Sequence, residues 1–162
     1  MVKAQPFIED VLNHDLFRYT FDDITGPFLE CHRNPVNVLL HLFTTPFGLV
    51  GALAISKILT KNSSIGVFIF FAYMLSLLPA LPVGIYIGTM IMCGFCVYIS
   101  IKVEISCIGA ITMLICSYAL QDLAHLGTGE KTHQSSYSNG GHIDFQNPSN
   151  WSKLFFEQIY YM

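Results

Sequence analysis

The charged residues of this chain are distributed unevenly, and their distribution restricts the fold more than any other feature of the sequence. Three stretches, residues 34–56, 62–101 and 105–121, contain no Asp, Glu, Lys or Arg. A helix needs about 20 apolar residues to cross the hydrocarbon core of a bilayer. The middle stretch is long enough for two such helices, and each outer stretch is long enough for one. The sequence therefore predicts an all-α integral membrane protein built as a four-helix bundle.

The composition favours the same class of protein. Apolar residues make up 52% of the chain and charged residues 12%, which is about half the charged fraction of a soluble domain. The net charge of −3 provides no basic surface for nucleic acid, so we expect no nucleic-acid partner. The lipid bilayer is the expected environment.

Proline, glycine and short polar turns divide the chain into segments. The four predicted spans cover residues 36–59, 65–79, 83–101 and 105–124. The predicted regions are an amphipathic N-terminal segment (1–30), with a short surface helix at 6–17, a transmembrane domain (31–126), and a polar C-terminal loop with an interfacial segment (127–162). Gly84 and Gly88 form a GxxxG pair, which permits close helix contact.

Polar side chains gather at the start of the first predicted span. Asn34 followed by Pro35 is typical of a helix start, with a side-chain cap and a proline in the first turn. Asn37 and His41 are four residues apart and share one face of that helix. His32 precedes the cap, on a segment that can fold back toward the same face.

A second polar group lies at the end of the last predicted span. Gln121 and His125 are four residues apart and share a face, and Glu130 and His133 follow them. An even number of crossings returns the chain to the side of the membrane where it started. We therefore expect the two polar groups, distant in sequence, to meet at one face of the membrane.

Converging imidazoles beside a carboxylate are a ligand set for a first-row transition metal, iron or zinc. The predicted ligands are His32, His41, His125 and His133. Asn37, Gln121 and Glu130 are available to fix the histidine tautomers from outside the coordination sphere. The alternative is that each histidine hydrogen-bonds a neighbouring helix and holds the bundle together.

The pattern His-x4-Asn-x3-His-x4-Pro, from His32 to Pro46, resembles a motif of the 2-hydroxy fatty acid dioxygenase family. The family's second motif, Gln-x-x-Gly-His followed by a glutamate, resembles the segment from Gln121 to His125 with Glu130. This chain has Thr44 and Ala124 where the family has glycine, its glutamate comes one residue late, and the family's following proline-alanine is missing.

The resemblance implies an endoplasmic-reticulum membrane protein that uses ferrous iron to shorten long-chain 2-hydroxy fatty acids by one carbon. It implies a catalytic role for Glu130, as a ligand or a proton acceptor, and an orienting role for Asn37. The alternative function, which the altered second motif favours, is a non-catalytic subunit of a larger membrane complex that reuses this fold.

Overall fold

A computed structural model describes residues 31–79, 81–131, 138–139 and 142–143, together with Phe21, Thr25 and Leu29. Its helices are α1 (Pro35–Thr60), α2 (Ser64–Leu77), α3 (Val83–Lys102) and α4 (Cys107–Thr128). The short strands β1 (Ser138–Asn139) and β2 (His142–Ile143) pair antiparallel, with Ser138 opposite Ile143. The predicted surface helix at residues 6–17 and the predicted interfacial segment at 151–162 lie outside the described residues.

The first helix begins as the sequence predicts. Asn34 is the N-cap, and its side-chain oxygen accepts a hydrogen bond from the backbone N–H of Val36 at 2.9 Å. Pro35 is the first helical residue, where its missing N–H leaves no intrahelical bond unmade. The helix ends at Thr60, and its C-cap residue Lys61 adopts a left-handed backbone conformation with φ of 53°.

Three of the helices are long and apolar enough to cross a membrane: α1 with 26 residues, α3 with 20 and α4 with 22. The second helix has only 14 residues and is about 21 Å long at 1.5 Å per residue, close to the length of the predicted span at 65–79. It ends at Leu77, two residues before Pro79, which has no backbone N–H to continue the helical hydrogen bonds.

Large apolar side chains are exposed on all four helices, which suits a lipid environment and not water. Phe43 on α1 is 70% exposed, Phe68 on α2 is 70% exposed, Val83 on α3 is 76% exposed and Ile108 on α4 is 81% exposed. A soluble monomer rarely presents so much contiguous apolar surface. The length, composition and outer surface of α1, α3 and α4 are compatible with membrane spans.

The first helix packs against all three others, and its closest partner is α4. A Cβ atom added at Gly48 would lie 2.5 Å from Ser117 Oγ, and one at Gly51 would lie 2.8 Å from the Ala110 carbonyl oxygen. Small residues therefore allow the two helices to approach closely. Because the later contact on α1 meets the earlier residue on α4, the two helices run antiparallel, and the start of α1 lies beside the end of α4.

Gly84 and Gly88, the GxxxG pair noted in the sequence, do not form a close contact with any of the other described helices. Nothing among the described residues lies within 4 Å of a Cβ atom added at Gly84 or Gly88. The close helix contact occurs instead at Gly48 and Gly51, where the glycines face serine and alanine on the neighbouring helix. Spacing alone cannot distinguish a glycine that faces another helix from one that faces lipid.

The opposite ends of the helices are also joined. Lys57 Nζ, in the last turn of α1, donates to the carbonyl oxygens of Ser100 at 3.2 Å and Ile101 at 3.0 Å. These carbonyls belong to the last turn of α3, where a lysine is favoured by the unpaired carbonyls and the helix dipole. The ends of α1 and α3 therefore lie together, away from the histidine-bearing start of α1.

Candidate metal centre

Three histidines meet where the start of α1 lies beside the end of α4. His32 lies two residues before the N-cap of α1, His41 lies in the second turn of that helix, and His125 lies in the last turn of α4. The ring centroids are 4.5 Å apart for His32 and His41, 4.9 Å for His32 and His125, and 5.0 Å for His41 and His125. One nitrogen from each ring lies within 4.8 Å of the others.

The environment of this histidine cluster, His32, His41 and His125, is largely closed to solvent. His32 and His125 are buried. The Nε2 atom of His41 is buried and has no hydrogen-bond partner among the described residues. A buried polar atom without a partner costs about 1–3 kcal/mol of stability. A cation bound between the three rings would provide the missing partner, so the residues present fit a metal ion.

The donor set limits which ions the cluster suits. Neutral imidazole nitrogen is a ligand for zinc, copper, iron and nickel, whereas calcium and magnesium prefer oxygen. Three protein ligands leave a coordination position for a further molecule, as catalytic metal sites require. The cluster therefore has the composition of a transition-metal site and not of an alkaline-earth site.

Asn37 is fully buried between the two helices, and its amide nitrogen contacts three groups. Nδ2 lies 3.2 Å from the carbonyl oxygen of Cys31, 2.8 Å from Oε2 of Glu130 and 3.1 Å from Nδ1 of His125. An amide nitrogen carries two hydrogens, and the carbonyl and carboxylate oxygens can only accept them. The direction of the third contact depends on the tautomer of His125. Oδ1 of Asn37 is buried without a hydrogen-bond partner among the described residues.

Glu130 lies just beyond α4, and its carboxylate binds the start of α1. Oε1 accepts hydrogen bonds from the backbone N–H groups of Arg33 at 2.5 Å and Asn34 at 2.7 Å, and Oε2 accepts one from Asn37. Desolvation raises the pKa of this carboxyl, but the bonds from Asn37, Asn34 and Arg33 and the nearby His32 lower it more. The pKa of Glu130 therefore lies below its ordinary value, and the group is ionised at neutral pH.

Two predicted site residues remain, Gln121 and His133. Gln121 lies one turn before His125, and its Nε2 donates to Oγ1 of Thr45 at 3.0 Å. This bond adds a polar link between α1 and α4 in the region where Ser117 Oγ donates to the Thr44 carbonyl at 2.6 Å. His133, predicted as a fourth ligand, lies outside the described residues.

The backbone groups that bind Glu130 are part of the site and were not identified from the sequence. The signal for them was present, because a helix start has N–H groups without intrahelical partners and attracts an anion. Arg33 and Asn34 contribute through main-chain atoms. A search that considers only polar side chains therefore does not find these main-chain donors.

Comparison with known proteins adds no further assignment. No protein-family model, no curated protein and no solved structure is significantly similar to this chain.

Proposed function

We propose that this chain is an integral membrane enzyme that binds iron at His32, His41 and His125 and shortens 2-hydroxy fatty acids by one carbon. The observation that carries the proposal is the buried Nε2 atom of His41, which has no hydrogen-bond partner in the part of the chain that the structure describes. The centroid of the His41 ring lies 4.5 Å from that of His32 and 5.0 Å from that of His125. The resemblance of the His32–Pro46 and Gln121–Glu130 segments to the 2-hydroxy fatty acid dioxygenase family supplies the reaction and the substrate class.

The proposed topology is a four-helix bundle with four crossings. The Lys57 contacts, which join the ends of α1 and α3, support this topology, because α3 then starts on the side where α1 starts. The second helix, together with residues 78–82, then has to return the chain across the membrane. Although α2 is short for a core of about 30 Å, the apolar residues Leu78 and Leu81 in that turn extend its reach. The N-terminal amphipathic helix is proposed to lie on the surface beside the histidine cluster.

The substrate class fits the location of the cluster. A fatty acid in the membrane holds its carboxylate at the surface and its alkyl chain in the hydrocarbon, where each buried methylene contributes about 0.8 kcal/mol. The cluster lies at helix ends, and the outer surfaces of α1 and α4 carry exposed apolar residues such as Leu42 and Leu126. A carboxylate can therefore reach the histidines while its alkyl chain stays in lipid.

The residues around the cluster have separate proposed roles. His32, His41 and His125 hold the metal, and His133 is a further proposed ligand. Iron, when bound, supplies the activation of O2 and the chelation of a 2-hydroxy carboxylate. Oδ1 of Asn37 is a buried acceptor without a partner among the described residues, suited to receive a hydrogen bond from a hydroxyl group. The buried surroundings of the three rings limit the access of bulk water.

The proposed location is the membrane of the endoplasmic reticulum, following the family that the motifs resemble. Zinc is the alternative metal for the same donor set.

A non-catalytic subunit of a larger membrane complex is the second candidate, and one observation favours it. Both oxygens of Glu130, the residue expected to act as a ligand or proton acceptor, are already engaged by hydrogen bonds from the start of α1. In that case the three histidines and Glu130 join the helices, and the chain binds other membrane subunits.

Oxygen consumption by the iron-loaded, reconstituted protein tests the proposal. With 2-hydroxypalmitate and O2 as the oxidant we expect cleavage of the C1–C2 bond to give the acid one carbon shorter, CO2 and water. Palmitate, which lacks the second chelating oxygen, should react little. His41→Ala should abolish the reaction. Cys107→Ser, which changes an exposed metal-binding residue type at the other end of α4, should not. Absence of the shortened acid with the wild-type protein would favour the second candidate, a non-catalytic subunit of a larger membrane complex.

A further inference from the structure

The carboxylate of Glu130 connects two parts of the chain that are remote in sequence. Its donors at the start of α1 are the main-chain N–H groups of Arg33 and Asn34 and the side-chain amide of Asn37. Glu130 is itself fixed to α4, since its own N–H donates to the carbonyl oxygen of His125 at 3.0 Å. One side chain therefore closes the junction between the start of α1 and the end of α4.

Each of these bonds is adjacent to a member of the histidine cluster. Arg33 directly follows His32, so the bond to its N–H fixes the main chain next to that histidine. Asn37 lies one turn before His41 on the same helix, and its Nδ2 atom is 3.1 Å from Nδ1 of His125. Glu130 thus restrains the surroundings of all three rings.

The same bonds leave the carboxylate poorly placed to be a metal ligand or a proton acceptor. Oε1 is shared by two main-chain donors, and Oε2 binds Asn37 at 2.8 Å and lies 3.4 Å from the hydroxyl of Thr128. Turning either oxygen toward a metal would leave donors at the helix start without an acceptor. The negative charge nevertheless stays close to the imidazoles, where it favours a bound cation.

We propose that Glu130 is a positioning residue that assembles the metal site, acting through Arg33, Asn34 and Asn37 without entering the coordination sphere. The inference rests on the proposed function, because it concerns the metal held by the three histidines. It replaces the role as ligand or proton acceptor implied by the motif. Partners of this kind outside the coordination sphere typically alter metal affinity by about 10–100-fold.

Titration of the metal-free, detergent-solubilised protein with Co²⁺, followed by its visible absorption, separates these roles. In Glu130→Gln the negative charge is lost, and only one acceptor oxygen remains, so the NH2 group must face either the Asn37 donor or the main-chain donors of Arg33 and Asn34. We expect affinity for Co²⁺ to fall at least tenfold while the absorption maxima at saturation stay at their wild-type wavelengths. The matched control is Asp122→Asn, which removes an exposed carboxylate from the last turns of α4 and should bind Co²⁺ like the wild type.

Two results would overturn the inference. Wild-type affinity in Glu130→Gln would show that the carboxylate does not organise the site, and shifted maxima would show that it is a ligand. If the wild type binds no Co²⁺, the proposed metal function itself fails, which is a separate outcome.

Chemical rescue of a second variant, Glu130→Ala, tests the proposal even if Glu130→Gln does not fold. In Glu130→Ala, added formate can occupy the position of the carboxylate beside the N–H groups of Arg33 and Asn34. We expect formate to restore Co²⁺ affinity at least partly and chloride at equal ionic strength to have no effect. Equal affinity with formate and with chloride would contradict the proposal.

Discussion

Asn37 shows how strongly a single residue of this site is determined by its surroundings. Its amide nitrogen faces the Cys31 carbonyl and the Glu130 carboxylate, both of which can only accept hydrogen bonds. An oxygen at the same position would face two other oxygens at 3.2 and 2.8 Å. The residue is fully buried, so water cannot relieve this repulsion. The position requires a donor and therefore an amide and not a carboxylate.

Replacing Asn37 by aspartate should therefore destabilise the protein at neutral pH. We expect a loss of about 1–3 kcal/mol, the cost of unpaired buried polar groups, with additional repulsion between the introduced carboxylate and that of Glu130. Thermal unfolding in detergent measures the effect, which should diminish in acid as one of the two carboxyls is protonated.

Asn62→Asp is the matched control for this substitution. Asn62 is exposed, and its side-chain oxygen accepts a hydrogen bond from the N–H of Ser64 at 2.9 Å, which aspartate preserves. Equal unfolding temperatures for Asn37→Asp and the wild type would contradict the assigned donor role.

At the scale of the helices, the site depends on how α1 and α4 are held together. Gly48 and Gly51 allow the close approach, and Ser117 Oγ donates to the Thr44 carbonyl across the contact. The Thr45–Gln121 bond lies beside this contact, toward the histidine cluster. A shift between the helices along this contact would displace His125 from His41. The proposed metal site is therefore expected to be sensitive to residues outside the histidine cluster.

Gly48→Leu tests this dependence. Even a Cβ atom added at this position would lie 2.5 Å from Ser117 Oγ, so the larger leucine side chain must separate the helices. The typical cost of such overpacking is about 1–3 kcal/mol of stability. We expect reduced thermal stability together with reduced metal content. Gly88→Leu, on a face where no described residue lies within 4 Å of the added Cβ, should retain both. Equal metal content in the two variants would show that the cluster forms independently of this helix contact.

At the scale of the whole molecule, charge distribution and cap residues predict much of the fold. Asn34 and Pro35 mark the observed start of α1, and the predicted spans overlap all four helices. The bounds differ most at the end of α4, which continues to Thr128 and stops where Gly129 adopts a left-handed C-cap conformation. An even number of crossings predicts that His32 and His41 lie close to His125, and the structure brings these three rings together.

The sequence does not reveal the contacts that depend on main-chain atoms or on the identity of the facing helix. Glu130 binds N–H groups of Arg33 and Asn34, and main-chain donors are the same for every residue except proline. Gly48 and Gly51 pack closely, whereas the Gly84 and Gly88 pair does not. The difference lies in tertiary placement, which spacing along one helix does not encode.

The proposed four crossings place both ends of the chain on one side of the membrane. Single cysteines introduced at Asn13 and Ser138, in a background without the native cysteines, should therefore react with an impermeant thiol reagent from the same side. A cysteine at Asn62, in the turn between α1 and α2, should react only from the other side. Opposite labelling of Asn13 and Ser138 would mean an odd number of crossings.

The most direct test of the account is elemental analysis of the purified protein for iron and zinc. We expect about one transition-metal ion per wild-type chain, because the three imidazoles offer a single site. Metal content should fall at least tenfold in His41→Ala and in His125→Ala, with expression largely intact, and should be unchanged in Cys107→Ser. A wild-type protein without metal, or full metal content in both histidine variants, would contradict the claim that these residues form a metal centre.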